Sequence, residues 1–422
     1  MNSMVDRRST WGNIDWMTFG LFMLLLAIGW LAVYAAGYDF QDRGVSFFSH
    51  VYGRQLIWIG ISAVIGLMVL ITDSKFYTAF AYVIFGLVVL TLLTTFAFPP
   101  VKGSRSWITF GSFQFQPAEL AKFATLLALS KYLSGLTVNF KSWKTWCVAS
   151  AIFLLPMAVV IAQNETGSAL VFGVFFLVLY RFGFPGWILL TGVLMGVLAL
   201  LALLVNPYII IGVLLVLTAA SAYLLRRQMT AVYMIVGVFV LSSGFVWATD
   251  YVFDNVLGAH QQQRIDVFLG RDVEVKDADY NVRQSKIAIG SGGLLGKGFL
   301  QGTFTKFNFV PEQTTDFIFC TIGEEYGFWG STLLLLIYLG FLLRIIHIGE
   351  RQRSRFSRVY AYGVACILFF HLLINVGMTM GLMPIIGIPL PLISYGGSSL
   401  LGVTILVFIL IKLDADRLSV LR

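Results

Sequence analysis

The stretch WMTFGLFMLLLAIGWLAVYAA, residues 16–36, runs for 21 residues without a charged side chain. At about 1.5 Å of rise per residue, a helix of that length crosses the roughly 30 Å hydrocarbon core of a bilayer. Runs of the same kind return at about 55–72, 77–98, 119–134, 147–163, 168–183, 186–205, 208–225, 229–248, 315–343, 359–378 and 397–413. With the first they make twelve candidate spans. Composition agrees: 58% of the 422 residues are hydrophobic, 12% are charged, and the mean hydropathy is +0.84. An ordinary soluble domain carries about 25% charged residues. A soluble enzyme, a disulfide-stapled scaffold and a disordered chain are therefore excluded. The sequence predicts an all-α polytopic membrane protein, read as a single integral-membrane domain over 1–422. Only Asn206 and Pro207 separate two of the runs. They are either a pair of spans over 186–225 or one re-entrant element, and the choice leaves the topology of the rest unchanged.

The net charge of +8 sits in short clusters between spans. One set of loops holds Arg7, Arg8, Lys75, Lys141, Lys144, Arg226, Arg227, Arg351, Arg353, Arg355 and Arg417. The alternate short loops hold Arg43, Arg54, Lys102 and Arg105. The positive-inside rule then places both termini in the cytoplasm. Arg7 and Arg8 precede the first span without a small-residue cleavage site, so that span is expected to be retained. No basic helix with interleaved aromatics occurs, and nucleic acid is not an expected partner. Cys147, Cys320 and Cys366 lie far apart without metal-ligand spacing and read as packing residues.

One segment breaks the apolar pattern. From about 250 to 314 the chain is polar and Gly-rich, and it is expected to be a long extracytoplasmic loop. It holds Asp266, Asp272, Glu274, Asp277 and Asp279, with two acid-x-acid pairs. These read either as a divalent-metal site or as a solvated acidic loop. YNVRQSKIAIGSGGLLGKGFLQGTF (280–304) follows, with six glycines between Gly290 and Gly302 and with Lys286 and Lys297 beside them. Such a run either presents backbone N–H groups to an anion such as pyrophosphate or is a flexible surface loop. Ionisable residues also fall inside or at the mouths of spans. Glu119 and Lys122 share a helix face, Glu165 opens the sixth span, and Asp316, Glu324 and Glu325 lie in the tenth. The Pro/Gly-broken segments 387–391 and 394–398 point to a cavity opening outward.

Four motifs, GIPLPLISYGGSSL (387–400), IAIGSGGLLGKG (287–298), PEQTTDFIF (311–319) and QPAELAK (116–122), together resemble the SEDS family, the cell-wall glycosyltransferases RodA, FtsW and SpoVE. The resemblance covers nearly the whole chain, and the Gly302–Thr303 step looks more like the elongation branch, RodA, than like FtsW. It implies a bundle of ten core helices, with the pair near 186–225 either an insertion or a misreading. It implies a peptidoglycan glycan-strand polymerase in the bacterial cytoplasmic (inner) membrane, working at the outer face for cell elongation. A carboxylate would activate the GlcNAc 4-hydroxyl of one lipid II to attack MurNAc C1 of another, releasing undecaprenyl diphosphate.

The family's catalytic Asp, counted without gaps between Arg264 and Tyr280, falls on Glu274, here followed by Val275; Asp272 is the runner-up. Glu has nearly the same intrinsic acidity and reaches one methylene further. Substrate binding or cavity organisation is assigned to Arg54, Gln55, Gln116, Glu119, Lys122, Glu165, Arg264, Tyr280, Gln284, Ser285, Lys286, Lys297, Glu312, Asp316, Ser394, Gly396, Gly397 and Ser398. At Glu165, as at Glu274, Glu replaces the family's Asp. No cofactor is demanded; a divalent cation, Mg or Mn, is the one candidate. The implied partners are a class B penicillin-binding protein and other elongation-complex membrane proteins. The competing readings are an FtsW-like division polymerase, a lipid II flippase, and a scaffold that has lost the chemistry. A transporter would hold its working charges near the midplane between repeats. Here the richest charge cluster lies in a loop and no repeat is visible.

Overall fold

The computed structural model describes residues 10–38, 46–101, 103–111, 113–136, 138–140, 142–270, 278–307 and 309–417. Every apolar run is helical. Helix α1 (Trp16–Gly37) begins at Asp15, whose carboxylate accepts the Thr18 N–H at 3.2 Å, and α2 is Val51–Ile71. The run near 77–98 is broken into α3 (Ser74–Ala79), α4 (Ala81–Thr94) and a 3-10 turn, Thr95–Ala97. A short antiparallel hairpin, β1 (Ile108–Phe110) and β2 (Phe113–Phe115), pairs Ile108 with Phe115 and delivers the chain to α5 (Pro117–Leu133). Proline opens α5, where a missing N–H costs nothing. Helix α6 (Trp143–Ala162) follows, and the run 168–183 is split into α7 (Thr166–Phe172) and α8 (Phe175–Arg181).

The pair over 186–225 resolves into two helices rather than one re-entrant element. Helix α9 is Gly186–Leu204 and α10 is Pro207–Leu224. Asn206 caps α10, its side-chain oxygen accepting the Tyr208 N–H at 3.0 Å, and Pro207 is pre-set for a first helical turn. The expected loop over 250–314 is also largely helical. Helix α11 (Met229–Asn255) continues past the apolar run, and α12 (Ala259–Phe268), α13 (Ala278–Ser291) and α14 (Thr303–Lys306) follow. Polar α12 starts with the Gly258 N–H donating to Gln261 Oε1 at 3.2 Å. Helices α15 (Ile318–Arg351), α16 (Arg355–Thr379) and α17 (Gly397–Ala415) complete the chain.

Nine helices among the described residues are long and apolar enough to cross a membrane, against the twelve spans expected. The shortfall is α4, α5 and the α7–α8 pair, which are helical but short. The molecule is a multi-pass membrane protein. Residues 184–279 form one compact unit, and residues 1–183 with 280–422 form the other. In the latter, α17 is the central post, packed on α2, α5 and α16, with 89% of its apolar window buried. In the 184–279 unit, α9, α10 and α11 meet around Ala202, Ile210 and Val246. That unit leaves most of its apolar side chains facing outward, as helices bathed in lipid do.

Candidate functional site

In the larger unit, the four motifs converge at one end of the bundle. The Gln116 N–H donates to Ser398 Oγ at 3.0 Å, and the Gly396 N–H reaches Gln55 Oε1 at 3.4 Å. The Tyr395 N–H donates to the Thr314 carbonyl at 2.8 Å, and the Arg54 charge lies beside the Tyr395 side chain. Asn375 donates at 2.8 Å to the carbonyls of both Asp316 and Ile388. The Pro/Gly-broken segment before α17 is thus tied to α2, α5, α16 and the lead-in to α15. Ser394 Oγ accepts the Leu390 N–H at 2.9 Å, holding that segment's own turn. Gly397 is glycine because a Cβ there would meet the Trp58 ring. Glu312 and Leu392 hold left-handed φ of 58° and 67°, strain of about 1–3 kcal/mol each in the two segments that meet.

The glycine run is built into the scaffold. Helix α15 breaks at Gly327 (φ 64°, ψ −157°), which frees backbone groups on both sides of the kink. The run supplies their partners. Lys297 and Gly298 N–H groups donate to the Glu324 and Glu325 carbonyls at 3.0 and 2.9 Å, while Phe328 and Trp329 N–H groups donate to Gly293 and Leu294 at 2.9 and 3.2 Å. A Cβ at Gly292 or Gly296 would strike the Gly323 or Glu325 carbonyl. The N–H groups of Lys297 and Gly298 are therefore spent on α15, and the run is neither an open anion cradle nor a loose loop. Glu324 secures it from below. Its buried carboxylate accepts Lys297 Nζ (2.7 Å), Phe304 N–H (2.9 Å), Thr305 N–H (2.9 Å), Thr305 Oγ1 (2.8 Å) and Thr303 Oγ1 (3.2 Å). It is a saturated acceptor that fixes α14.

One turn deeper lies a buried polar cluster. Lys122 Nζ is 2.6 Å from Glu119 Oε1 and 3.0 Å from His371 Nε2. His371 Nδ1 is 2.8 Å from the Ile367 carbonyl, which can only accept. Nδ1 therefore carries the proton and Nε2 accepts from the ammonium. Sequence reasoning gave Glu119 and Lys122 but missed His371 and Asn375. Their signal was two polar side chains four residues apart on one face of an apolar span.

The other expected residues fall as follows. Glu165 accepts from Ser104 and Ser106 hydroxyls at 2.9 Å each, pinning the segment before β1. Ser285 Oγ donates to the Thr379 carbonyl at 3.0 Å, and exposed Lys286 lies over Gly381. Tyr280, Arg54 and Glu312 are exposed, and Gln284 is half-buried. Arg264 lies on α12 in the other unit. Glu274 and Asp272 lie outside the described residues, as does Asp277. Among the described residues no cluster of three or more His, Cys, Asp or Glu side chains could hold a metal ion.

The family model for the cell cycle proteins FtsW, RodA and SpoVE matches residues 15–211 and 205–418. This chain belongs to that family. It is 32% identical to the peptidoglycan glycosyltransferase RodA of Treponema pallidum (strain Nichols), covering 96% of this chain and 98% of the relative. It is 30% identical to the peptidoglycan glycosyltransferase MrdB of Escherichia coli (strain K12), over 95% and 94%. Two solved structures share its fold. A chain of a peptidoglycan synthase complex aligns with TM-score 0.66 at 23% identity over 96% of this chain and 98% of that one. The rod shape determining protein RodA of Thermus thermophilus aligns with TM-score 0.62 at 22% identity, over 97% and 99%.

Proposed function

We propose that this chain is a peptidoglycan glycosyltransferase that polymerises lipid II for cell elongation, with its site at the motif end of the bundle on the outer face of the cytoplasmic membrane. The observation that carries the reading is the near full-length match, at 30–32% identity, to relatives named peptidoglycan glycosyltransferases of the RodA and MrdB type. The geometry supports it. Arg54 and Lys286 are exposed cations at the end where the motifs meet, positioned to receive a leaving diphosphate. Glu324 is saturated by five donors and is unsuited to taking a proton. By the family register the proton-accepting role is assigned to Glu274, or to Asp272, which would accept the GlcNAc 4-hydroxyl proton as that oxygen attacks MurNAc C1 and undecaprenyl diphosphate leaves.

A class B penicillin-binding protein is the proposed partner, since one structural neighbour comes from a complex that coordinates polymerization and crosslinking. A divalent cation, Mg or Mn, is proposed as an auxiliary of the acidic pairs, and no step depends on it. Incubating the purified chain, alone and with that partner, with labelled lipid II tests the reading. Wild type should yield polymer and undecaprenyl diphosphate. Glu274→Gln should lose roughly a hundred- to ten-thousand-fold in rate. A dead Asp272→Asn beside an active Glu274→Gln would move the base to Asp272. No polymer from an intact wild-type complex would overturn the enzyme reading. A chelator arm decides the cation.

A further inference from the structure

Away from the motif end, the larger unit carries a cavity of about 460 Å³ lined by Arg181, Phe182, Arg353, Arg355, Arg358 and Tyr362. Four guanidinium groups face one space, and Glu350 is the acid beside them. It lies 3.2 Å from Arg181 and also accepts the Tyr362 hydroxyl. Arg353 and Arg355 have no ion-pair partner among the described residues, and Arg358 shares the charge of Glu350 with Arg181. Arg355 Cζ lies over the Phe140 ring, 4.2 Å from its centre, and Arg358 Nη2 donates to the Gln352 carbonyl at 2.9 Å. Arg358 Nε is buried with no acceptor among the described residues. A buried N–H without an acceptor is costly and marks a missing partner. Arg355 is also the first residue of the 25-residue helix α16, whose N-cap Ser354 makes no side-chain bond, so the positive end of that helix adds to the field.

The depth of the cavity narrows the anion. Arg181 is the last residue of α8, Glu350 lies in the last turn of α15, and Arg355 opens α16. The cavity therefore lies where three apolar helices leave the hydrocarbon. Exposed Leu177 and Tyr180 lie on the adjacent turn of α8. It also lies at the bundle end where α1 starts and α17 finishes, since Arg351 contacts both Asp15 and Asp414. We propose that this cavity binds a phosphate group at the membrane interface, the phosphodiester of an anionic phospholipid. Arginine forks suit phosphate oxygens, and basic pockets between helices at this level are built for lipid headgroups.

The test is lipid retention by the full-length chain, measured by native mass spectrometry after titration with phosphatidylglycerol, cardiolipin or phosphatidylcholine in detergent. Wild type should hold the anionic lipids at least about tenfold more tightly than phosphatidylcholine. Arg353→Gln/Arg355→Gln, both at exposed positions, should lose that preference. Arg226→Gln/Arg227→Gln, which removes the same charge elsewhere, should keep it. Competition by millimolar inorganic phosphate with no lipid preference would assign the site to a soluble phosphate instead. Equal retention of anionic and neutral lipid with no phosphate competition, or equal anionic preference in both double variants, would overturn the proposal.

Discussion

The two ends of the larger unit are held together by different chemistry. At the end where α1 begins and α17 finishes, ion pairs join the helix termini. Asp15 engages Arg344 and Arg351, and Asp414 engages Arg351 and Arg417 at the C-terminal turn of α17. At the motif end, the contacts between segments are mostly neutral hydrogen bonds, with Arg54 and Lys286 left at the surface. Charge at that end is sealed inside, as in Glu119–Lys122, held half-buried on a buried partner, as Lys297 is on Glu324, or exposed. The lesson is that one end joins its helix termini with ion pairs and leaves unanswered charge in the arginine-lined cavity, while the other joins its segments mostly with neutral hydrogen bonds and leaves its cations at the surface.

The sharpest way to break this comparison is inside the sealed pair. Glu119→Ala strands the Lys122 ammonium in the core and should cost about 3–5 kcal/mol. Glu119→Leu/Lys122→Leu, which removes both charges, should recover most of the loss in thermal unfolding. A single variant as stable as wild type would show that the pair is not sealed. Next in size is Glu324→Ala, which leaves the N–H groups of Phe304 and Thr305 without an acceptor, at about 1–3 kcal/mol each. It should lower the melting temperature and expose the glycine run to proteolysis; an unchanged cleavage pattern would refute the keystone role.

The opposite end gives the smallest effect, and its sign is fixed by proton linkage. Burial pushes the Asp15 carboxyl up, but hydrogen bonds from Arg344 and Thr18 and the charges of Arg344 and Arg351 outweigh it, holding it well below its ordinary 3.8. A depressed carboxyl contributes stability that is complete above the unfolded value and is lost as pH falls below it. Asp15→Asn should therefore be less stable than wild type at pH 7. The gap should close as pH drops below about 4. A gap that stays constant with pH would remove the ion pair from the account.

Much of the fold could be read from hydropathy alone, because lipid forces each apolar run into a helix. Helix ends set by tertiary contacts could not. The Gly327 kink answers backbone partners far back in the chain, the Gly293 and Leu294 carbonyls. The stretch 250–314 read as a loop because helices α12 and α13 are polar on average and too short to give a spanning apolar run. Motif residues such as Gln116, Ser394 and Ser398 were legible by resemblance. The Lys122–His371 contact, across 249 residues, was not. The glycine run shows how composition misleads: the same residues suit an anion cradle and a graft into a broken helix, and only the positions of the Gly323 and Glu325 carbonyls choose between them.

The most direct test sets Glu274→Gln beside Glu324→Gln, reading lipid II polymerisation and thermal stability on the same preparations. The account predicts that Glu274→Gln keeps the wild-type melting temperature and loses at least about a hundredfold in polymer formation. Glu324→Gln should lose stability, and polymer only in proportion to the folded fraction. Polymer at the wild-type rate from Glu274→Gln and also from Asp272→Asn would contradict the account, because the carboxylate base would then lie outside the segment that the reading assigns to it.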